Sequence, residues 1–155
     1  MPVYGITIVI ILITSSCKKE NDPLPTSQSF VGKTYQIVSF TLNPALDLDN
    51  DGIADTDLTL LFSDCRKDDT VTFETGGKIL TGFGTSKCTG DDTSDRNGGT
   101  WTYDQSRNVL KTLDKDDPTV ITEWAIEASG NTLRSVEQFE AQGVTYTSTM
   151  VMKAI

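Results

Sequence analysis

From Asp47 to Asp57 the chain reads Asp-Leu-Asp-Asn-Asp-Gly-Ile-Ala-Asp-Thr-Asp, five acids and one glycine in a single short stretch. Asp47, Asp49 and Asp51 occupy alternate positions, Gly52 follows directly, and Asp55 comes four residues after Asp51. That is the order of the first nine positions of a calcium loop. Oxygens on alternate residues converge on one hard cation only where the chain curls tightly, and Gly52 supplies the backbone freedom for that turn. The predicted Ca2+ ligands are the side chains of Asp47, Asp49 and Asp51 and the carbonyl of Ile53. Asp55 or Asp57 completes the shell, directly or through water. The last position of an EF-hand loop is a bidentate glutamate, whereas here it is Leu58, so a helix-loop-helix is not expected. A solvated Asp/Asn/Gly turn is the alternative reading. Charge argues for the ion: eight aspartates lie between Asp47 and Asp69, with only Arg66 and Lys67 in return. A divalent cation relieves such repulsion.

Other chemistry is narrowed by what is missing. The sequence contains no histidine, which removes the usual general base, the Ser-His and Cys-His pairs, and the commonest transition-metal ligand. No phosphate-cradling loop or Gly-x-Ser-x-Gly occurs. Carboxylate pairs abound, but any acidic protein offers them, and with so few cysteines a zinc site would have to be completed by carboxylates. The expectation is a protein that is not an enzyme. With 22 acidic against 13 basic residues the formal charge is -9, and no segment forms a basic stripe, so nucleic acid and anionic membrane surfaces are disfavoured as partners.

The elements that position the acidic loop begin after an N-terminal leader. Val3 to Ile13 is a continuous apolar run that ends in Thr14, Ser15, Ser16 and Cys17. A transmembrane helix needs ~20 apolar residues, whereas a secretory core needs ~7–15 followed by small residues. A buried strand is the alternative. Ser15-Ser16-Cys17, followed by Lys18-Lys19-Glu20, resembles the processing site of bacterial lipoproteins of the Bacteroidota type. Two features depart from it: no Lys or Arg precedes the run, and Thr14 stands where Leu is usual. The resemblance implies a signal peptide over 1–16, lipidation of Cys17, and residence in the cell envelope as an outer-membrane lipoprotein. Residues 17–29, with Pro23 and Pro25 among polar neighbours, read as a flexible tether.

From Phe30 onward the pattern becomes short runs of alternating hydrophobicity, rich in Val, Ile, Thr, Tyr and Phe, separated by Gly, Asn and Asp. Eight strands are predicted: Thr34–Leu42, Thr70–Thr75, Lys78–Phe83, Thr100–Tyr103, Val109–Leu113, Thr119–Glu127, Thr132–Phe139 and Val144–Lys153. Hairpin signals at Gly76-Gly77, Asp104 to Asn108, Ser129-Gly130-Asn131 and Gln142-Gly143 make them a meander. Leu58 to Phe62 fits one helical turn or an extra strand. An open meander would expose two edges, and closure into an all-β, antiparallel, up-and-down barrel removes them. Residues 30–155 then resemble the lipocalin-like domains of Bacteroidota lipoproteins. The carriers are Val31-Gly32-Lys33-Thr34-Tyr35, the acidic loop with Gly52, Cys65 with Lys67-Asp68-Asp69 and Phe73, Cys88, and Gly99-Thr100-Trp101. One feature departs from it: lipocalins carry Gly-x-Trp at the first strand, whereas here the aromatic is Tyr35, three after Gly32, so their ligand rules do not transfer.

In an exported chain Cys65 and Cys88, left over once Cys17 takes lipid, are expected to pair. Closing a loop of about 24 residues would contribute roughly 3 kcal/mol in the chain-entropy picture. Two free buried thiols are the alternative. Trp101, Tyr103, Trp124 and Tyr146 fall at positions that fit an inward face, where they either pack a core or, with Tyr35 and Arg134, line a cavity for a small hydrophobic or amphipathic ligand. Glu137 or Gln138 would add polar contacts. The pattern of that strand leaves open which of Thr132-Arg134-Val136-Gln138 and Leu133-Ser135-Glu137-Phe139 points inward. A hollow of ~300 Å³ or more would favour binding, and a filled barrel an interaction module of the envelope.

Overall fold

The structure is a computed structural model that describes residues 28–91 and 96–155. The predicted leader, Cys17 and nearly all of the tether lie outside the described residues.

Nine strands follow the chain: β1 (Thr34–Leu46), β2 (Asp55–Asp57), β3 (Thr70–Glu74), β4 (Lys78–Gly82), β5 (Arg96–Asp104), β6 (Val109–Asp114), β7 (Ile121–Ile126), β8 (Thr132–Ala141) and β9 (Val144–Ala154). From β3 to β9 each strand pairs antiparallel with the next, and β1 pairs with both β3 and β9. Eight strands therefore close an up-and-down barrel, as the alternating pattern predicts. The ninth, β2, lies against the far half of β1, pairing Thr41 with Asp57 and Leu46 with Asp55. Leu58–Leu61 then forms a single 3-10 turn, and Asp64–Arg66 another. The undecided stretch after the acidic loop is thus a helical turn.

Alternation puts one face of each strand inside. Trp124 and Ile126 on β7 are buried while Ile121, Glu123 and Ala125 are exposed. On β8, Leu133 and Ser135 are the buried pair. A bulge between Ile37 and Ser39 lets β1 keep Tyr35 and Ile37 inside and then return Phe40 and Leu42 to the same side, leaving Val38 exposed. Strand β5 begins at Arg96, earlier than its composition suggests: Arg96, Asn97 and Gly99 pair with Thr81, Leu80 and Ile79, and Gly98 is the extra residue of a bulge between them. Gly99 has φ of 123°, and a Cβ there would collide with the Leu113 carbonyl.

The two ends differ. Short turns after β3, β5 and β7 gather at the end where β1 begins, and aromatic side chains close the barrel there. Phe30 enters it as a plug, its ring 5.2 Å from Trp101, 5.5 Å from Tyr103 and 6.0 Å from Phe73. Tyr35, Phe73, Leu110 and Leu133 are fully buried around it, each side chain worth about 1.5–3 kcal/mol of transfer free energy. The polar tips are satisfied: Tyr35 donates to the Gly130 carbonyl at 2.5 Å, and Trp101 Nε1 donates to the carbonyls of Glu74 and Lys78 at 2.9 and 3.1 Å. Gly32, with φ of 78°, turns the chain so that its N–H meets the Phe73 carbonyl at 2.8 Å. The Val31-Gly32-Lys33-Thr34-Tyr35 motif is therefore the latch of the closed end.

The opposite end carries the long connections, residues 47–69 and, among the described residues, 83–91, and it is open. Cys65 and Cys88 form a disulfide across these two loops, with Cα atoms 5.2 Å apart. Asp91 reinforces it, accepting from Arg66 Nη2 at 2.6 Å and from the Cys88 N–H at 2.8 Å. Asp68 Oδ2 accepts from the Thr85 hydroxyl, the Ser86 N–H and the Thr85 N–H. Those bonds hold the Asp68 carboxyl below its ordinary pKa, the Thr85 hydroxyl contributing most.

Candidate functional site

The acidic loop is the connection between β1 and β2, so it is flanked by strands. Leu46 and Asp55 pair across its base. Leu48 and Leu58 turn inward, joining Leu42 and Tyr146 in a small apolar cluster at the open end. Leu58 therefore occupies the last loop position as a core residue, and no glutamate could replace it without leaving a carboxylate against apolar neighbours. The curl uses Asn50 and Gly52, with φ of 63° and 87°. Asp49 accepts from the Asp51 N–H at 3.1 Å, Asp51 from the Ile53 N–H at 2.8 Å, and Asp47 from the Gly52 N–H at 3.0 Å.

Carboxylate oxygens of Asp47, Asp49 and Asp55 come within 4.8 Å of one another, close enough to share one cation. Asp47 Oδ1 is shielded from solvent and has no hydrogen-bond partner. An orphaned carboxylate oxygen beside two others is what a hard oxygen-seeking ion would satisfy. Asp51, Ile53 and Asp57 lie outside that cluster. The strand-flanked geometry explains Asp57: past the base of the loop it caps the 3-10 turn, accepting from the Thr59 N–H at 2.9 Å and its hydroxyl at 2.6 Å. The Thr59 hydroxyl, then its N–H, lowers the Asp57 pKa.

Between the loops the barrel is hollow. A cavity of about 250 Å³ is walled mainly by Ile37, Phe73, Ile79, Trp124, Met150 and Met152. A second recess of about 320 Å³ shares Ile37, Val71 and Thr81 with it and bears Arg66, Lys67, Arg96, Lys115 and the acids Asp69, Asp114 and Asp116. A third, of about 120 Å³, shares Thr122, Trp124 and Met150 with the first and adds Phe40, Ser135, Glu137 and Ser148. The apolar hollow is just below the ~300 Å³ set above for ligand binding, and it has recesses on two sides.

The aromatics expected to line a cavity divide. Trp124 does so, with Nε1 donating to Thr112 Oγ1 at 3.1 Å. Tyr35 and Trp101 pack into the core cluster around Phe30, and the recess of about 360 Å³ at that end is lined by Phe30, Tyr103 and Asn108 without them. Tyr103 packs against the same plug and donates to Asn108 Oδ1 at 2.7 Å. Tyr146 is covered by Leu42, Leu58 and a stacked Phe139 at 5.5 Å. Arg134 and Gln138 point outward, since β8 turns Leu133, Ser135 and Glu137 inward. Ser135 and Ser148 were not singled out by sequence. Their signal is a hydroxyl on the otherwise apolar face of a strand, visible only once the facing of β8 and β9 is known.

Comparison with known proteins finds no match to any family model, curated protein or solved structure.

Proposed function

We propose that this protein is a calcium-stabilised, lipid-anchored envelope protein whose lipocalin-like barrel binds a small hydrophobic or amphipathic molecule at its open end. The observation that carries the reading is the apolar cavity walled by Trp124, Met150 and Met152. A non-enzymatic role suits a chain without histidine, in which the charged groups at the mouth are largely spent on one another: Arg66 on Asp91 and Asp69, Lys67 on Asp64, Lys115 on Asp116. The Ca2+ ion would bind Asp47, Asp49 and Asp55 and tie β1 to β2. The lipid anchor rests on the leader and Cys17 alone.

Titration with N-phenyl-1-naphthylamine tests the binding reading. Saturable enhancement of the dye, quenching of Trp124, and loss of both on filling the hollow with Ile79→Trp are the expected results. Dye uptake that never saturates, or that survives Ile79→Trp in a folded protein, sinks it.

A second reading, an interaction module, is favoured by one observation. Ile53, Leu60 and Leu61 are each exposed on the 47–69 connection, and the adjacent Leu60 and Leu61 offer apolar surface to a protein partner. Charged replacements at Leu60 and Leu61 would abolish such an association and leave dye binding intact.

A further inference from the structure

The recess beside Trp124 contains a polar group with nothing to bond. Ser135 is only 4% exposed, and its hydroxyl has no hydrogen-bond partner. A buried hydroxyl left so carries a desolvation cost that a bound donor or acceptor would recover. Around it the strands place a second hydroxyl and a carboxylate. Ser135 lies opposite Met150 and Glu137 opposite Ser148 on the inward faces of β8 and β9, and Thr122 completes the recess from β7. Among the described residues Glu137 enters none of the ion pairs.

We propose that the open-end cavity selects an amphipathic ligand with a cationic amine head, held by Glu137, Ser135 and Ser148, while its apolar body lies against Trp124 and Met150. The inference rests on the binding reading above and names the chemistry of its ligand. The donor and acceptor inventory supports it. An ionised carboxylate only accepts, and a hydroxyl can accept, whereas an ammonium has three donors and no acceptor. One amine head can therefore satisfy Glu137, Ser135 and Ser148 together. Glu137 is itself exposed at the rim of the recess, so a carboxylate or phosphate head in the same place would meet like charge at a partly solvated edge, and would leave Ser135 beside it without the donors an amine supplies. The cations at the mouth do not reverse this preference. Arg66, Lys67 and Lys115 already have carboxylate partners, and Arg96 lies over the Phe83 ring at 4.3 Å. The recess shares Thr122, Trp124 and Met150 with the lining of the larger hollow, so a head in the one lies beside an apolar body in the other.

Calorimetric titration of the full chain with decylamine, decanol and decanoate tests the idea. Decylamine should bind about tenfold tighter than decanol and tighter still than decanoate. Glu137→Gln should lower the amine's affinity about tenfold, whereas Glu140→Gln, an outward charge on the same strand, should not change it. Decanol or decanoate binding as tightly as the amine overturns the proposal while leaving the binding reading in place. An amine preference that survives Glu137→Gln also overturns it. If none of the three binds, the binding reading fails and the proposal falls with it.

Discussion

Leu58 and Asp47 show how single residues divide the acidic loop between fold and chemistry. Leu58 is drawn into the apolar cluster with Leu42 and Tyr146, so the ion would lack the bidentate closing ligand and bind weakly. At millimolar calcium a site with Kd of ~10⁻⁴ M adds on the order of 1.4 kcal/mol, a few degrees in Tm for a domain this size. Asp49→Asn combined with Asp55→Asn should abolish that shift and leave the calcium-free melt similar or higher. Identical wild-type melts in calcium and in chelator would show a solvated turn instead. Tyr35 makes a second, unrelated prediction. Burial pushes its phenol from 10.0 up to about 12. A raised folded-state pKa contributes stability below the unfolded value and loses it as pH rises through the folded one. Stability should therefore decline between about pH 10 and pH 12, and Tyr35→Phe should flatten the decline even though it lowers stability at neutral pH. Parallel alkaline profiles for the two proteins would contradict this.

At the scale of elements, the open end is held by loop-to-loop ties more than by strand pairing. The Cys65–Cys88 bridge spans a sequence separation of 23, which corresponds to roughly 3 kcal/mol of unfolded-state constraint. Reduction, or Cys65→Ser with Cys88→Ser, should lower Tm by several degrees and weaken dye binding, because the mouth recess is built on Arg66 and Lys67 beside the bridge. Thiol titration of the Cys17→Ala chain should detect no free thiol before reduction. Two reactive thiols in the folded, unreduced protein would remove the bridge from the account. The closed end should be indifferent to reduction, since Phe30, Gly32 and Tyr35 fasten it without either cysteine.

For the whole molecule, the barrel has one closed and one open end. Gln28 and Ser29, where the described residues begin, lie with Phe30 at the closed end, opposite the mouth. If Cys17 carries lipid, the full-length protein should partition into the detergent phase. Cys17→Ala should release it to the aqueous phase or block its processing. Equal aqueous partitioning of both forms would refute the anchor. The net charge of -9 accords with an address reached by acyl chain and not by attraction to anionic headgroups.

The sequence alone determined the eight barrel strands and their order, though not β2 or the early start of β5 at Arg96. Alternation has a period of two, and turn residues such as Gln142-Gly143, both at positive φ, punctuate it locally. It also determined the carboxylate spacing of the acidic loop and the pair of cysteines, because these depend on residue type and distance along the chain. Only the tertiary structure decided which face of β8 points inward. Leu133-Ser135-Glu137-Phe139 and Thr132-Arg134-Val136-Gln138 are nearly balanced in polarity, and closure against β7 and β9 breaks the tie. The same holds for the division of the aromatics. Tyr35 and Trp101 alternate as correctly as Trp124, but one end of the barrel receives Phe30 from a distant segment and the other does not. Whether an inward side chain meets a neighbour or a hollow depends on what fills the space opposite, and no local pattern in the chain encodes that.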